Sequence, residues 1–392
     1  MKILREEQNG AILYDDSTFG YLYTADVEMA RKAAGRVIDC GGPSHGRSDI
    51  LLAPIRIYFE LTTRCNLACL HCFACSSPSE PEGMEGATVL RLLEDLARSG
   101  VINVRFTGGE PTARSDWHEI MAYARSLGLV TSLSTNGVFG DPDDTVRKIA
   151  GLSIGQVTVS LDGSEREHDA LRGEGTFRQV ILTLLKLRER GLQNVRITTV
   201  LSKRNLHSLA GITEIAARHA KVLNFVCTRP VGRASHDGGL LLSFDEHYNT
   251  AREVLRLRER HSRLLIIHSD LPLPTELAST GSPAYQSTSL CVAADGTIWP
   301  HHYTVHQTGR LMLGRFPQDR PVSLWAHSVK LDGFRAWTGA LLARCRLCSE
   351  MNRRCAGIQF EMELAKVLGH IEENPYCRNR EKAPHPWDYI PA

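Results

Sequence analysis

The sequence predicts an α/β chain in which a parallel sheet with helical crossovers occupies residues 51–230 and a small α+β domain occupies 291–392. Three observations lead there. Between residues 54 and 228 strand-like and helix-like patterns alternate in regular order, and parallel neighbours need helical crossovers. The residues of unusual chemistry follow predicted strand ends, where open α/β sheets and barrels alike gather their sites. Beyond residue 290 the pattern changes to short strands, aromatics and cysteines.

The elements follow in order. Ala11 to Tyr14 and Tyr21 to Tyr23, joined by Asp15-Asp16-Ser17-Thr18, read as a hairpin within a separate segment, 1–50. Ile55 to Leu61 is a β-rich run that ends just before the first cysteines. Val89, Leu92, Leu93 and Leu96 fall at helical spacing and Gly100 ends that helix. Val101 to Phe106 is a second strand, and a helix with Trp117, Ile120, Met121 and Ala124 on one face follows. Leu129 to Ser134 and Val157 to Leu161 are the third and fourth strands. Thr176-Phe177-Arg178-Gln179 matches a capping box opening a helix that Gly191 closes. Val195 to Leu201 and Val222 to Cys227 are the fifth and sixth strands, with Asn205 expected to cap the helix between them. Residues 231–290, punctuated by Gly238, Gly239, Pro272, Pro274 and Pro283, read as a bridge. Periodicity alone leaves an open doubly wound sheet and a full or partial barrel both open.

Composition narrows the class. A net charge of +2 without a Lys/Arg run gives no electrostatic footprint for nucleic acid. No stretch approaches the roughly 20 apolar residues of a membrane helix, and Met1 to Glu7 lacks a signal-peptide core. A cytoplasmic protein without a membrane partner is expected. The 11 cysteines are the anomaly, because they cluster. In a reducing compartment clustering points to metal rather than to disulfides.

Cys65, Cys69 and Cys72 supply three thiolates within eight residues, on the loop after a strand. Thiolates are the usual ligands of iron–sulfur clusters, and three ligands on a four-iron cube leave one iron open to a cofactor or substrate. A structural zinc site completed by His71 or Cys75 is the alternative; it suits a short gap and a second, distant ligand pair better than this spacing. Near the C-terminus, Cys345, Cys348, Cys355 and Cys377 offer four more thiolates, whose spacing alone reads as a zinc ribbon.

The C-x3-C-x2-C spacing resembles the signature of the radical S-adenosylmethionine (SAM) superfamily, and further segments over 54–228 are similar to its motifs. Thr107-Gly108-Gly109-Glu110-Pro111 resembles the GGE motif, whose backbone and carboxylate contact the methionine amino group of SAM. Glycines let backbone approach a ligand, and a carboxylate can receive an ammonium. Ser134-Thr135-Asn136-Gly137 resembles the family's STNG strand end, and Val159-Ser160-Leu161-Asp162-Gly163 with Leu171-Arg172-Gly173 its SLDG…RG segment. A motif counts in its structural context, and all of these fall at predicted strand ends. The resemblance implies a partial (β/α)6 TIM-like barrel and a [4Fe–4S] cluster on Cys65, Cys69 and Cys72 that binds SAM. It also implies SAM contacts from Gly108, Gly109, Glu110, Ser134, Asn136, Ser160, Asp162 and Arg172, with His71 beside the adenine.

The C-terminal region resembles the SPASM/twitch extension, with Gly296 to Pro300 as its hairpin and Leu313 to Phe316 and Leu324-Trp325 as further likenesses. Two expected cysteines are replaced, by His301 and Gln359. The resemblance therefore implies one auxiliary [4Fe–4S] cluster, on Cys345, Cys348, Cys355 and Cys377, and loss of the other, whose remnant, Cys291 with His301 or His302, is a further candidate metal position. An electron donor such as flavodoxin or ferredoxin is implied as partner. The opening strands, Leu4 to Glu7 and Gly10 to Asp15, resemble those of peptide-recognition domains. That points to a precursor peptide as substrate, with a small molecule as the alternative and a separate recognition protein as a possible partner. A non-catalytic iron–sulfur or zinc protein is the reading from outside enzymology. Candidates for the substrate step are Cys227 as hydrogen donor, or else a buried structural cysteine, and His301, His302 and Tyr303 for proton transfer. Arg229 and Arg233 are candidates for binding a substrate carboxylate.

Overall fold

The computed structural model describes residues 1–15, 20–38, 47, 49–268, 288–305, 307–349, 360–375, 377 and 383–392. The chain opens with β1 (Lys2–Glu7), β2 (Gly10–Asp15), β3 (Gly20–Thr24), α1 (Val27–Ala33) and β4 (Arg36–Ile38). These strands form a four-stranded sheet in the order β3-β2-β1-β4. The main body then runs β5 (Arg56–Thr62), α2 (Gly86–Arg98), β6 (Asn103–Gly108), α3 (Trp117–Ser126), β7 (Val130–Thr135), α4 (Pro142–Gly151) and β8 (Gln156–Ser160). It continues with α5 (Glu165–Arg172), α6 (Thr176–Glu189), β9 (Val195–Leu201), α7 (Leu209–His219), β10 (Val222–Cys227), α8 (Phe244–Arg260) and β11 (Leu265–His268). The C-terminal part holds β12 (Ser289–Val292), β13 (Thr297–Trp299), β14 (Gly314–Arg315), α9 (Pro321–His327), α10 (Val329–Arg346) and α11 (Phe360–Val367).

Strands β5 to β10 pair in parallel, each with its sequence neighbour. This is the partial barrel. β11 extends the sheet beyond β10, so the expected bridge contributes a parallel strand of its own. At the other edge β12 pairs in parallel with β5, and β13 and β14 continue antiparallel as the predicted hairpin.

Side-chain parity separates two environments, because successive residues of a strand face opposite sides. Ile57, Phe59, Val104, Phe106, Leu133, Val157, Val159, Ile197, Leu223 and Phe225 are fully buried or nearly so under the helices. The other parity faces the lumen and is polar: Arg56, Tyr58 and Glu60, then Asn103 and Arg105, then Ser132 and Ser134, with Gln156, Thr158 and Ser160 beyond. β9 shows the alternation plainly, with Ile197, Thr199 and Leu201 buried and Arg196, Thr198 and Val200 partly accessible. A closed TIM barrel fills its interior with branched apolar side chains; this lumen is lined by polar and charged side chains instead.

The N-terminal sheet closes the floor of that lumen. Arg5 is completely buried, and its guanidinium donates to the carbonyls of Ala53 (2.8 Å), Pro54 (3.1 Å) and Gly100 (2.9 Å), on segments that lead into β5 and β6. Arg36 adds a bond to Gly128 O ahead of β7. The N-terminal sheet is thus docked on the barrel through β1 and β4, by hydrogen bonds that satisfy otherwise buried carbonyls.

Two local expectations fail for identifiable reasons. The capping box at Thr176 does not form; Gly175 is the N-cap, and Asp169 of α5 accepts from Gly175 N and Phe177 N, both at 2.8 Å. Asn205 stands at the N-cap of a short 3-10 helix, Leu206–Ser208, that leads into α7, but its side chain makes no capping bond. Its amide donates to Asp162 O (2.7 Å) and Val200 O (2.9 Å), and its Oδ1 accepts from Ser202 N (2.8 Å), tying the end of β8 to that of β9. In both cases a tertiary partner outcompetes the local one.

Candidate functional site

The site is assembled at the C-terminal ends of β5 to β8. A register shift between Glu60 and Thr62 ends β5 and turns the chain into the cysteine loop. That loop is anchored from several directions. Cys65 N donates to Ser77 O (3.0 Å), and Leu70 N to Leu171 O (2.9 Å). Arg233 holds the loop from below, donating to Cys69 O (2.7 Å), to Ser76 O (2.9 Å) and, from its backbone N, to Cys72 O (3.0 Å). Arg233, a candidate for substrate binding by sequence, is therefore a scaffold for the cysteines.

Cys65 and Cys69 are buried and Cys72 is partly exposed. Burial, together with the charges of Glu110, Cys69 and Cys72, pushes the Cys65 thiol up to about 12. Donors are nevertheless aimed at the sulfurs: Asn136 Nδ2 lies 3.7 Å from Cys65 Sγ, and an Arg172 guanidinium nitrogen 3.8 Å from Cys69 Sγ. Three clustered cysteines, two of them with N–H donors on sulfur, fit a bound cation that deprotonates them and offsets the repulsion between thiolates, as an iron–sulfur cluster does.

The glycines of the GGE motif act first on the chain itself. Gly108 has φ +126°, and a Cβ there would clash with Thr62 O; a Cβ on Gly109 would clash with Arg64 O. Gly109 N donates to Thr62 O (2.8 Å) and Glu110 N to Arg64 O (2.9 Å), so the ends of β5 and β6 touch only because neither residue has a side chain. Glu110 is 1% exposed, and its carboxylate accepts from Thr112 N (3.2 Å), Thr112 Oγ1 (2.7 Å), Thr135 Oγ1 (2.9 Å) and Asn136 N (2.7 Å). It braces the ends of β6 and β7, a role the motif does not reveal. Burial raises its pKa against the pull of those donors.

Asp162, with no exposed surface, is the centre of the other half. Its Oδ2 accepts from Arg172 Nε (2.5 Å) and lies 3.2 Å from His71 Nε2, while Oδ1 accepts from Val200 N (2.8 Å). Burial opposes its ionisation, but Arg172 and His71 outweigh it and hold the carboxyl well below the usual carboxylate range. His71, placed beside the adenine by resemblance, is thus bound to Asp162. Arg172 bridges Asp162 and Cys69. Ser134 and Ser160 stand on the lumen face at the tops of β7 and β8, partly accessible.

The substrate-side candidates separate. Cys227 shares parity with Leu223 and Phe225, so it faces the helices rather than the lumen, where a hydrogen donor would have to stand. Its Sγ lies 4.0 Å from His268 Nε2, and with His247 of α8 the three donor atoms fall within 4.8 Å of one another, all buried. This is the one such Cys/His group among the described residues, and it does not include Cys291. Cys291 is buried next to Glu60, whose carboxyl burial and Asp295 push up to about 7. His302 does reach the lumen, stacking on Tyr58 with ring centroids 4.6 Å apart; His301 and Tyr303 pack beside it at 4.1 and 4.2 Å, and Tyr303 meets Phe73 of the cysteine loop edge-on at 5.4 Å. Burial, reinforced by Arg229, pushes His301 down to about 3, and its Nδ1 accepts from Tyr303 N (3.3 Å), so it is a poor proton acceptor at neutral pH. Arg229 Nε is 4.0 Å from Glu361 Oε2, and its guanidinium lies 5.9 Å from the Tyr303 ring.

At the auxiliary position, Cys345 and Cys348 close α10, with Cys348 N donating to Cys345 O (2.9 Å), and Arg344 reaches to 4.0 Å from Cys377 Sγ. Cys355 lies outside the described residues. Sequence reasoning missed Arg56, Tyr58, Arg105 and Arg196. Their signal is an arginine or tyrosine at one parity of an otherwise apolar strand, as in Val-Arg-Phe and Val-Arg-Ile.

Comparison with known proteins agrees with this geometry. Residues 59–215 match the family model described as the radical SAM superfamily. The chain is 30% identical over 291 residues to the mycofactocin maturase MftC of Mycolicibacterium smegmatis, covering 70% of this chain and 71% of that protein. It is 26% identical over 334 residues to the PqqA peptide cyclase of Ruegeria pomeroyi, covering 83% and 87%. Among solved structures, Streptococcus suis SuiB bound to S-adenosylmethionine superposes with a TM-score of 0.72 at 16% identity over 97% of this chain and 98% of that one, a likeness of fold alone. Among the described residues no helix is long and apolar enough to cross a membrane. Motif order, barrel and relatives agree, and the chain belongs to the radical SAM superfamily.

Proposed function

We propose that the chain is a peptide maturase that modifies a ribosomally made precursor at an unactivated carbon, by crosslinking, oxidation or epimerisation. The observation that carries this is the lengthwise match to a peptide cyclase, over 83% of this chain and 87% of that protein. The N-terminal sheet supports it: β3 is an edge strand with Tyr21 and Leu22 exposed, and an extended peptide can add to such an edge. A separate recognition protein would act at the same edge.

In this reading Cys65, Cys69 and Cys72 hold a [4Fe–4S] cluster with one iron left for SAM, and Cys345, Cys348, Cys355 and Cys377 hold an auxiliary cluster. Once reduced by a donor such as flavodoxin or ferredoxin, the cluster would supply the one electron that splits SAM into methionine and a 5′-deoxyadenosyl radical for hydrogen-atom abstraction from substrate. The chain's own residues position. Asp162 fixes Arg172 and His71, Glu110 fixes the strand ends, and Ser134, Asn136 and Ser160 line the approach from the lumen. Phe73 of the cysteine loop, with His302 and Tyr303 of the C-terminal part, walls the lumen and keeps water from the reacting carbon.

Anaerobic reconstitution tests this. About eight irons per chain correspond to two four-iron clusters, and dithionite-reduced protein should cleave SAM to 5′-deoxyadenosine. A precursor peptide encoded beside this gene should change mass in the same reaction. About four irons would remove the auxiliary cluster, and absence of SAM cleavage would remove the mechanism.

A further inference from the structure

We propose that Cys227, His247 and His268 form a zinc site between the last two parallel strands and the helix that covers them. The inference is independent of the peptide reading, because it concerns the outer face of the sheet rather than the lumen.

The three donors come from three elements, and each element aims its own at the same point. Phe225 of β10 pairs directly with His268 of β11, and residues paired across two strands face the same side. Phe225 is fully buried under the helices, so His268 projects to the helix side. Cys227, two residues beyond Phe225, projects there too. From the other direction α8 presents a buried stripe of His247, Thr250, Ala251, Val254 and Leu257, at the spacing of one helix face. His247 thereby meets His268 edge-on, with ring centroids 5.9 Å apart. Cys227 Sγ lies 4.0 Å from His268 Nε2, and one donor atom from each of the three falls within 4.8 Å of the others. Cys227 is 1% exposed and each histidine 2%.

The donor set selects the ion. Thiolate and imidazole suit zinc, whereas magnesium and calcium take oxygen ligands. A tetrahedral zinc, with bonds of about 2.3 Å to sulfur and about 2.0–2.1 Å to nitrogen, spaces its donors about 3.3–3.6 Å apart. Closing the observed triangle to that size moves each donor by about 1 Å or less, which side-chain torsions can supply. The neighbours on the same faces, Leu223 and Phe225 of β10, Ile266 of β11 and Ala251 and Val254 of α8, are apolar. Gathering a thiol and two imidazoles in such a layer costs desolvation. A hydrogen bond joins donors in pairs; one cation engages all three and takes the thiol proton as it binds. The ion ties β11, a four-residue strand at the sheet edge, and α8 to the end of β10. Three protein donors leave one corner of the tetrahedron to a further ligand such as water.

The test uses the full chain with its clusters reconstituted anaerobically, so that the cluster cysteines are occupied, then equilibrated with zinc chloride and desalted. Wild type should retain about one zinc per chain beside its full iron. Competition with a chromophoric chelator should show affinity falling about 100-fold or more in Cys227→Ala and in His268→Ala, since changes outside the ligand shell alone cost about 10–100-fold. Iron content should not change in either variant. X-ray absorption at the zinc edge of wild type needs no variant to fold, and should find one sulfur at about 2.3 Å with nitrogen or oxygen at about 2.0–2.1 Å. Stripping the zinc should lower the wild-type melting temperature by several degrees, and restoring it should reverse the shift. No retained zinc, zinc surrounded by sulfur alone, wild-type affinity in both variants, or a melting temperature indifferent to zinc overturns the proposal.

Discussion

Replacing Asp162 by asparagine removes the charge on which the SAM half of the site is organised. The carboxylate has no exposed surface and the Arg172 side chain 9%, with 2.5 Å between them, so the pair is buried and solvent screening is weak. Breaking a buried pair by removing one partner costs roughly 3–5 kcal/mol, because the remaining charge stays desolvated. An asparagine keeps one acceptor for Arg172 or for Val200 N, so the lower end of that range is expected. Against a total stability of about 5–15 kcal/mol, this is large enough to read in the denaturant midpoint of the anaerobically purified protein. A second readout is iron content, since Arg172 also donates toward Cys69 and loses its anchor. The pH dependence has a definite sign. The folded pKa of Asp162 is depressed, by Arg172 and His71 acting against burial. Its stabilisation is therefore complete above the unfolded value of about 4 and is lost only as pH falls through the folded value. The gap between wild type and Asp162→Asn should stay level from pH 8 to pH 5. A variant with wild-type midpoint and full iron content would refute the account of Asp162 as the organising charge.

Two further outcomes follow from the geometry. Gly109→Ala should lose SAM binding and most of its iron, because the added methyl meets Arg64 O and forces β6 from the cysteine loop; a variant with normal cluster absorbance would contradict this. Cys227→Ser should leave the product, and the position of hydrogen abstraction, unchanged in deuterium-labelled solvent, since the thiol faces α8 and His268 rather than the lumen; loss of solvent deuterium from the product would restore Cys227 as the hydrogen donor.

Much of the barrel was legible because β5 to β10 carry their own periodicity. The boundaries of β9 and β10, Val195–Leu201 and Val222–Cys227, coincide with the apolar runs of the sequence. The pieces that were not legible are those whose partners lie far along the chain. Gly175, with φ +76°, and Asp169 replaced the capping box at Thr176. α1 and β4 escaped notice because they are short, and Ala30 of α1 gains its burial by packing on Leu4 and Ala11 of the N-terminal sheet.

The amino-acid order by itself determined the superfamily, since a C-x3-C-x2-C loop and three strand-end motifs in fixed sequence are local patterns whose chemistry needs no contact to be named. It also determined that the chain repeats strand and helix, because burial on one face imposes a period. Only the tertiary structure decided what each residue does. Parity within the parallel sheet sent Cys227 outward and Arg105 and Arg196 inward, a difference of one residue that no composition reveals. Convergence of the segments that follow β5 and β8 brought His71 and Arg172 onto the one charge of Asp162, and contact between the ends of β6 and β7 turned Glu110 into a brace. Electrostatics in a lumen depends on which groups meet across it, and that is a property of the folded sheet.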